Sequence, residues 1–275
     1  MRKQAGECIM DKGLIELPAM RSETEAALAA VHEAMRIIDS REGADEITSK
    51  GGIDLVTAAD VRSEDIIRAR LRTAFPDFPV IGEERGGLSS GDTPYWLVDP
   101  ICGTRPYASN VPLYCTNIAL VEGGMVTLAA IGIGGTGEAL YAELDGGAWL
   151  RTGSTDTRIH VSDSSHALWF DGKGELAANV VRRAILRNRW FIWQFSSSIA
   201  YPYVAAGRMA GLVHCSHHLS PVHTAAGCFM TEQAGAVITN LDGGPWRFDT
   251  PGYIVAATQE LHSDLCDVVR QSRSE

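Results

Sequence analysis

The sequence predicts an α+β fold for its first half and an α/β fold for its second, on three observations. Two stretches near the start place apolar residues at helical spacing. Four apolar runs separated by glycine turns follow, the pattern of an antiparallel meander. From Asp156 onward, strand-like and helix-like segments alternate, as in a sheet covered by helices. The division therefore falls at residues 21–155 and 156–275, with a loosely ordered 1–20 before them. A chain of 275 residues that is 45% hydrophobic has apolar surface enough for one large core or two joined ones.

The first helix begins at Ser22-Glu23-Thr24-Glu25, a capping sequence, and carries Ala27, Leu28, Val31, Ala34, Met35 and Ile38 to about Asp39. Ser40 to Gly52 is polar and glycine-bearing, hence a loop. A second helix over Asp60 to Thr73 presents Ile66, Ile67 and Leu71, and Phe75-Pro76-Asp77 stops it. Phe78 to Gly82 is a short strand delivering Glu83 and Glu84, and Arg85 to Thr93 is a surface loop. Tyr95 to Val98 is an apolar strand. The meander follows at Tyr114–Glu122, Met125–Gly132, Glu138–Leu144 and Ala148–Arg151. In the second half, strands are expected at Arg158–Ser162, Trp190–Phe195, Ala210–His214, Ala236–Thr239 and Tyr253–Ala257. Helices are expected at Glu175–Arg187, Ser196–Arg208, Pro221–Ala234 (proline at its start) and Glu260–Ser272.

Composition excludes several classes. The formal net charge of −10 argues against nucleic acid as a partner, although a bound metal can reverse the sign locally. Cys8, Cys102, Cys115, Cys215, Cys228 and Cys266 are scattered and form no disulfide framework, so a reducing cytoplasm is expected. Met1 to Gly13 has no apolar core of signal length. No apolar run reaches the roughly 18 residues that a membrane span needs.

Chemistry concentrates where strands end. Tyr95 to Val98 runs into Asp99-Pro100-Ile101-Cys102-Gly103-Thr104. One turn thus delivers the Asp99 carboxylate, the Ile101 carbonyl, the Cys102 thiol and the Thr104 hydroxyl. A helix starting after Gly103 would offer free N–H groups to an anion. Asp54 with Asp60, and Glu83 with Glu84, collect further carboxylates. Each acid alone reads as a solvated turn residue. Together they suit a hard divalent cation such as magnesium. His214, Cys215, His217, His218 and His223 crowd one segment but match no zinc-finger spacing. They read as substrate contacts or a single ligand, His223, with surface histidines as the plainer reading. Cys115, Cys228 and Cys266 lie on apolar faces as core residues. Trp190 and Trp193 fit a substrate wall or strand packing equally, and Arg105 fits a phosphate contact or a solvated side chain.

Several of these segments, in this order and spacing, resemble the inositol monophosphatase superfamily, the magnesium-dependent, lithium-sensitive phosphatases. The matching pieces are Asp54-Leu55-Val56-Thr57-Ala58-Ala59-Asp60, Ile81-Gly82-Glu83-Glu84 and Trp96-Leu97-Val98-Asp99-Pro100-Ile101-x-Gly103-Thr104. Farther on come Asn117-Ile118-Ala119-Leu120, Ala205-Ala206-Gly207-Arg208, His223-Thr224-Ala225-Ala226-Gly227 and Glu232-Gln233-Ala234-Gly235. The resemblance implies a layered αβαβα sandwich, in a homodimer, with the site between the two halves. It implies that Glu83, Asp99 and the Ile101 carbonyl hold one magnesium. It further implies that Thr104 and Glu83 orient an attacking water and that Asp60 supports them. Gly103, Thr104, Arg105, Ser196 and His217 are the expected substrate contacts. The implied reaction is hydrolysis of a phosphate monoester of a small sugar, cyclitol or related alcohol.

The chain also departs from the family's pattern. The family has Asp where this chain has Cys102, and Trp-Asp where it has Val222-His223. The second metal site so becomes Asp99, Cys102 and His223. Thiolate and imidazole are poor magnesium ligands but good ones for zinc or ferrous iron. Cys102 and His223 are therefore also catalytic candidates: a helix start favours the thiolate, and a histidine shuttles protons near neutral pH. Pro106 stands for an Asn, Phe195-Ser196 for a Gly-Ser pair, and the His214–His218 segment lacks the acid that contacts substrate hydroxyls. Three readings follow. One is a phosphatase using the Glu83, Asp99 and Ile101 site. Another is a repurposed lyase, isomerase or cyclase using Cys102 and His223. The third is a non-catalytic homologue.

Overall fold

Helix α1 (Ser22–Ser40) buries the expected stripe from Ala27 to Ile38. It opens without a side-chain cap: Arg21 is the N-cap residue, and Thr24 is instead buried and donates to Glu143. The computed structural model describes residues 20–51, 54–89, 91–216 and 220–273. The segment expected to be loosely ordered lies outside these, apart from Met20, which packs against the first core. The expected loop at 40–52 contains a strand, β1 (Ile47–Gly51), paired antiparallel with β2 (Asp54–Thr57). All five β1 residues are exposed, so no apolar alternation marks it. Helix α2 (Ala58–Ala74) starts two residues early because Thr57 and Asp60 close a reciprocal capping box.

The larger sheet has seven strands in the order β3 (Val80–Gly82), β4 (Tyr95–Cys102), β5 (Cys115–Glu122), β6 (Met125–Ile133), β7 (Glu138–Glu143), β8 (Gly147–Thr152) and β9 (Thr155–Ile159). Only the β3–β4 pair is parallel; the meander is as expected. One helical turn, α3 (Thr104–Ala108), links β4 to β5. The strand expected at Arg158–Ser162 is β9, bonded to β8, so this sheet runs on to Ile159.

The smaller sheet is built from β10 (Ala167–Gly172), α4 (Glu175–Arg187), β11 (Phe191–Trp193), α5 (Ala200–Ala205), β12 (Gly211–Cys215), α6 (Pro221–Gln233), β13 (Val237–Asn240), β14 (Tyr253–Ala256) and α7 (Gln259–Ser272). Its strand order is β11-β10-β12-β14-β13. Strand β10 has no counterpart in the sequence reading. Its buried run, Leu168-Trp169-Phe170, is too short for a period to show. The helix expected over 196–208 shrinks to α5, because Ser197 and Ser198 spend their hydrogen bonds on Cys102.

Four apolar interfaces define five layers. Leu28 and Val31 of α1 with Ile67 and Leu71 of α2 cover Trp96, Ile118 and Leu120. The other face of that sheet packs Ala119, Ile131 and Leu140 on Ile199, Ala225 and Phe229. Tyr201 and Cys228 then meet Trp169, Leu212 and Val255. Phe170, Val213 and Ile254 meet Val180, Leu265 and Val269 of α4 and α7. Each fully buried Leu, Ile or Phe contributes about 1.5–3 kcal/mol. The result is the expected αβαβα sandwich.

Candidate active site

Strand β4 carries the centre of the site. Asp99 opposes Asn117 and Cys102 opposes Cys115, so three steps on β4 face two on β5, a β-bulge at Pro100-Ile101. Thr116 secures it by donating to the Pro100 carbonyl at 2.7 Å. Asp99, Ile101, Cys102, Gly103 and Thr104 thereby line one cleft of about 630 Å³, shared with Trp169, Asp171 and His214 of the smaller sheet. Gly103 has φ +103°, and a Cβ there would lie 2.6 Å from the Leu113 carbonyl oxygen, so only glycine makes this turn. The helix expected after it, α3, is five residues long and carries little dipole.

An oxygen-rich corner occupies one side. Thr104 Oγ1 lies 3.1 Å from both Asp60 Oδ1 and the Ile101 carbonyl oxygen. Asp60 Oδ2 accepts from the Thr57 N–H and hydroxyl. Burial, outweighing the Thr57 hydrogen bonds, pushes the Asp60 carboxyl up to about 6. Glu83 is pushed up to about 7 by burial and then by the Asp99 charge. The turn that presents Glu83 is held from below. Glu64, fully buried, accepts from the N–H groups of Glu84 and Arg85 and pairs with Arg68 at 2.7 Å. A Cβ on Gly82 would fall 2.1 Å from Glu64 Oε1, so the carboxylate fits only under glycine. Lys50, at the end of the unforeseen β1, bonds Glu83 at 3.0 Å and Glu84 at 2.6 Å.

A sulfur- and nitrogen-bearing corner occupies the other side. His223 Nδ1 lies 2.7 Å from Asp99 Oδ2 and 4.0 Å from Glu83 Oε2. Asp99 is fully buried, and its Oδ1 has no hydrogen-bond partner among the described residues. Cys102 Sγ accepts from the Ser198 N–H at 3.2 Å. The Asp99, Cys102 and His223 ligand atoms lie within 4.8 Å of one another. Two expectations change here. The Cys102 thiol is held well above its ordinary value by its hydrogen bond with Cys115 and by burial, so α3 does not make it a thiolate. Burial alone would lower His223, but the Asp99 hydrogen bond and charge win and raise it well above an ordinary histidine. Without metal, the Asp99 contact favours the protonated form of His223.

The remaining expected contacts separate. Ser196 lines the cleft, and His217 lies outside the described residues. Arg105 lines the cleft and pairs with Asp54 at 2.8 Å, on the exposed rim. Trp169 supplies the aromatic wall, whereas Trp193 is largely exposed on the outer strand β11. The His214 ring lies 5.6 Å from that of Trp169 at a tilt, its Nδ1 is buried without a hydrogen-bond partner among the described residues, and burial lowers it to about 4. Cys115 and Cys228 are buried as expected, and Cys266 is partly so, 3.7 Å from His262 Nδ1. Lys50, Glu64, Ser198 and Asp171 are site residues absent from the sequence reading. The one available signal was the Glu64–Arg68 spacing of opposite charges on α2.

Five layers thus carry an acid-lined cleft that opens where the two sheets face each other. The family model described as the inositol monophosphatase family matches residues 19–274. The inositol-1-monophosphatase of Mesorhizobium japonicum is 30% identical over 246 residues, which is 83% of this chain and 88% of that protein. The fructose-1,6-bisphosphatase/inositol-1-monophosphatase of Thermotoga maritima is 29% identical over 232 residues, 82% of this chain and 87% of that protein. A solved IMPase structure from Thermotoga maritima is 25% identical and superposes with a TM-score of 0.79, covering 91% of this chain and 97% of that one. The chain belongs to the inositol monophosphatase family, whose members are magnesium-dependent phosphatases. Among the described residues, no helix is long and apolar enough to cross a membrane.

Proposed function

We propose that this protein hydrolyses the phosphate monoester of a small sugar, cyclitol or related polyol, with magnesium held by Glu83, Asp99 and the Ile101 carbonyl. The observation that carries the reading is the convergence of Glu83, Asp99 and the Thr104–Asp60 pair on one cleft. The donor set fits the ion: all three are oxygen ligands, and the buried Asp99 Oδ1 lacks a partner among the described residues. Magnesium bound there supplies Lewis-acid stabilisation of the phosphoryl oxygens.

The chain's own groups do the rest. Thr104 donates its hydroxyl proton to Asp60, which leaves its lone pairs to accept from a water. Glu83, facing the same cleft, is the acceptor for that water's proton. His214, neutral, and the half-buried Asp171 offer uncharged and charged acceptors to substrate hydroxyls, and Lys173 offers a cation. Gly103, Arg105, Ser196 and His217 complete the proposed substrate contacts. A cytoplasmic homodimer without a nucleic-acid partner belongs to the same proposal; the net charge of −10 supports the last point.

A second reading, a lyase, isomerase or cyclase, draws on Cys102 and His223 standing beside Asp99. The test is phosphate release from a panel of sugar and cyclitol monophosphates with magnesium. We expect turnover in the native chain and its loss in Thr104→Ala and Asp60→Asn. A folded, metal-loaded chain that consumes such a compound without releasing phosphate overturns hydrolysis in favour of the second reading. One that touches none of them overturns both in favour of a non-catalytic role.

A further inference from the structure

We infer that Asp99, Cys102 and His223 form a site for a thiophilic divalent transition metal, with zinc as its occupant, in place of a second magnesium. On a regular strand, residues three apart point to opposite faces. The bulge at Pro100-Ile101 adds the step that returns Cys102 to the face of Asp99. Helix α6, opened by Pro221, then brings His223 to the same point. The carboxylate oxygen, thiol sulfur and ring nitrogen lie within 4.8 Å of one another, and all three residues line the cleft.

Three protein ligands of mixed O, S and N type, with a remaining position toward a cleft, are the donor set of an open zinc site. Magnesium wants six oxygens at short range, and a thiol with an imidazole does not supply them. The hydrogen bond between Asp99 and His223 accounts for two of the residues only. It leaves unexplained Cys102, whose Sγ accepts from the Ser198 N–H, an outer contact of the kind that orients a metal-bound sulfur. His262 and Cys266, another histidine–cysteine pair, belong to no group of three such ligands among the described residues.

This inference rests on ligand geometry and not on the hydrolytic reading. The full chain, stripped with a chelator and kept reduced by a phosphine so that Cys102 and Cys115 stay thiols, is titrated separately with zinc, cobalt(II) and magnesium. Zinc is expected to bind at one equivalent per chain. Cobalt is expected to show a thiolate-to-metal charge-transfer band in the near ultraviolet. Cys102→Ser should abolish that band and weaken zinc by more than about 100-fold, beyond what outer-contact losses cause. His223→Asn should weaken zinc comparably. Cys102→Asp with His223→Asp should lose zinc and gain magnesium, which also serves if the serine variant fails to fold. Cobalt uptake without the band, or zinc affinity unmoved by Cys102→Ser in a chain with native circular dichroism, overturns the site. Zinc uptake without phosphate release retains this inference and removes the hydrolytic one; the opposite result does the reverse.

Discussion

The two corners of the cleft share Asp99 and differ in almost everything else. The Glu83 corner is built from oxygen donors and is braced by α2, through Asp60 and the buried Glu64–Arg68 pair. The Cys102 corner offers sulfur and nitrogen and is braced by the segment before α5, through Ser197 and Ser198. Each corner carries its own cation against its acids: Lys50 on Glu83, and His223 on Asp99. A single bulge in β4 serves both. Metal preference can therefore change at one corner while the architecture of the other stays in place.

The sharpest way to break the comparison is to disable the oxygen corner alone. Glu83→Gln keeps the side chain's shape and removes the proton acceptor. We expect phosphate release to fall by about 10³-fold or more, at the upper end of general-base contributions. Zinc uptake at the other corner should persist. If hydrolysis survives Glu83→Gln, the Cys102 corner carries the chemistry. The next effect is structural. Glu64→Ala strands the Arg68 guanidinium in a buried site, and loss of one partner of a buried pair costs about 3–5 kcal/mol. Arg68 keeps its bonds to the Val80 and Gly86 carbonyls, so the lower end of that range is expected in urea unfolding.

The oxygen corner was legible in the sequence, and for its central turn the physical reason is local. Asp99, Ile101 and Thr104 sit in one turn, which short-range spacing sets, whereas Glu83 and Asp60 joined them only through the family resemblance, Asp60 meeting Thr104 across 44 positions. Lys50 and Ser198 were not legible. Lys50 lies on a fully exposed strand that no apolar period marks, and Ser198 reaches Cys102 across 96 positions of sequence. Strand β10, which contributes Trp169 and Asp171, is a short buried run that periodicity cannot separate from a helix or loop. The protonation states of Cys102 and His223 reversed for a related reason. Both depend on neighbours that only tertiary packing supplies, Cys115 across the sheet and Asp99 from another element.

Those protonation states set a pH signature for the metal-free chain. Asp60 at about 6 and Glu83 at about 7 lie above ordinary carboxylates, so the folded chain keeps protons that the unfolded chain releases. Stability then falls as pH rises from the ordinary value through the raised one. His223 acts with the same sign, since a raised histidine stabilises below its ordinary value and loses that contribution as pH climbs through its folded one. Between about pH 5 and pH 8 we expect a loss on the order of 1–3 kcal/mol in urea unfolding. Magnesium should flatten the slope, because a cation then does what the proton did, and Glu83→Gln should flatten it without magnesium. A slope of opposite sign would show that Lys50 and His223 already neutralise both corners.

The smallest test addresses the Cys102 corner alone. Ser198 Oγ accepts from Asn117 Nδ2 at 2.7 Å and lies 3.3 Å from Cys115 Sγ, while its N–H donates to Cys102 Sγ. Ser198→Ala keeps that backbone bond and leaves the buried Asn117 amide without its acceptor, a loss of about 1–2 kcal/mol in thermal or urea unfolding. Because Cys102 is still held by the backbone N–H, the cobalt–thiolate band should remain while zinc weakens by no more than about 10-fold, the mild end of outer-contact losses. Hydrolysis through the Glu83 corner should be unchanged. If Ser198→Ala instead abolishes the band, the hydroxyl network toward Cys115, rather than the backbone N–H, is what aims the sulfur.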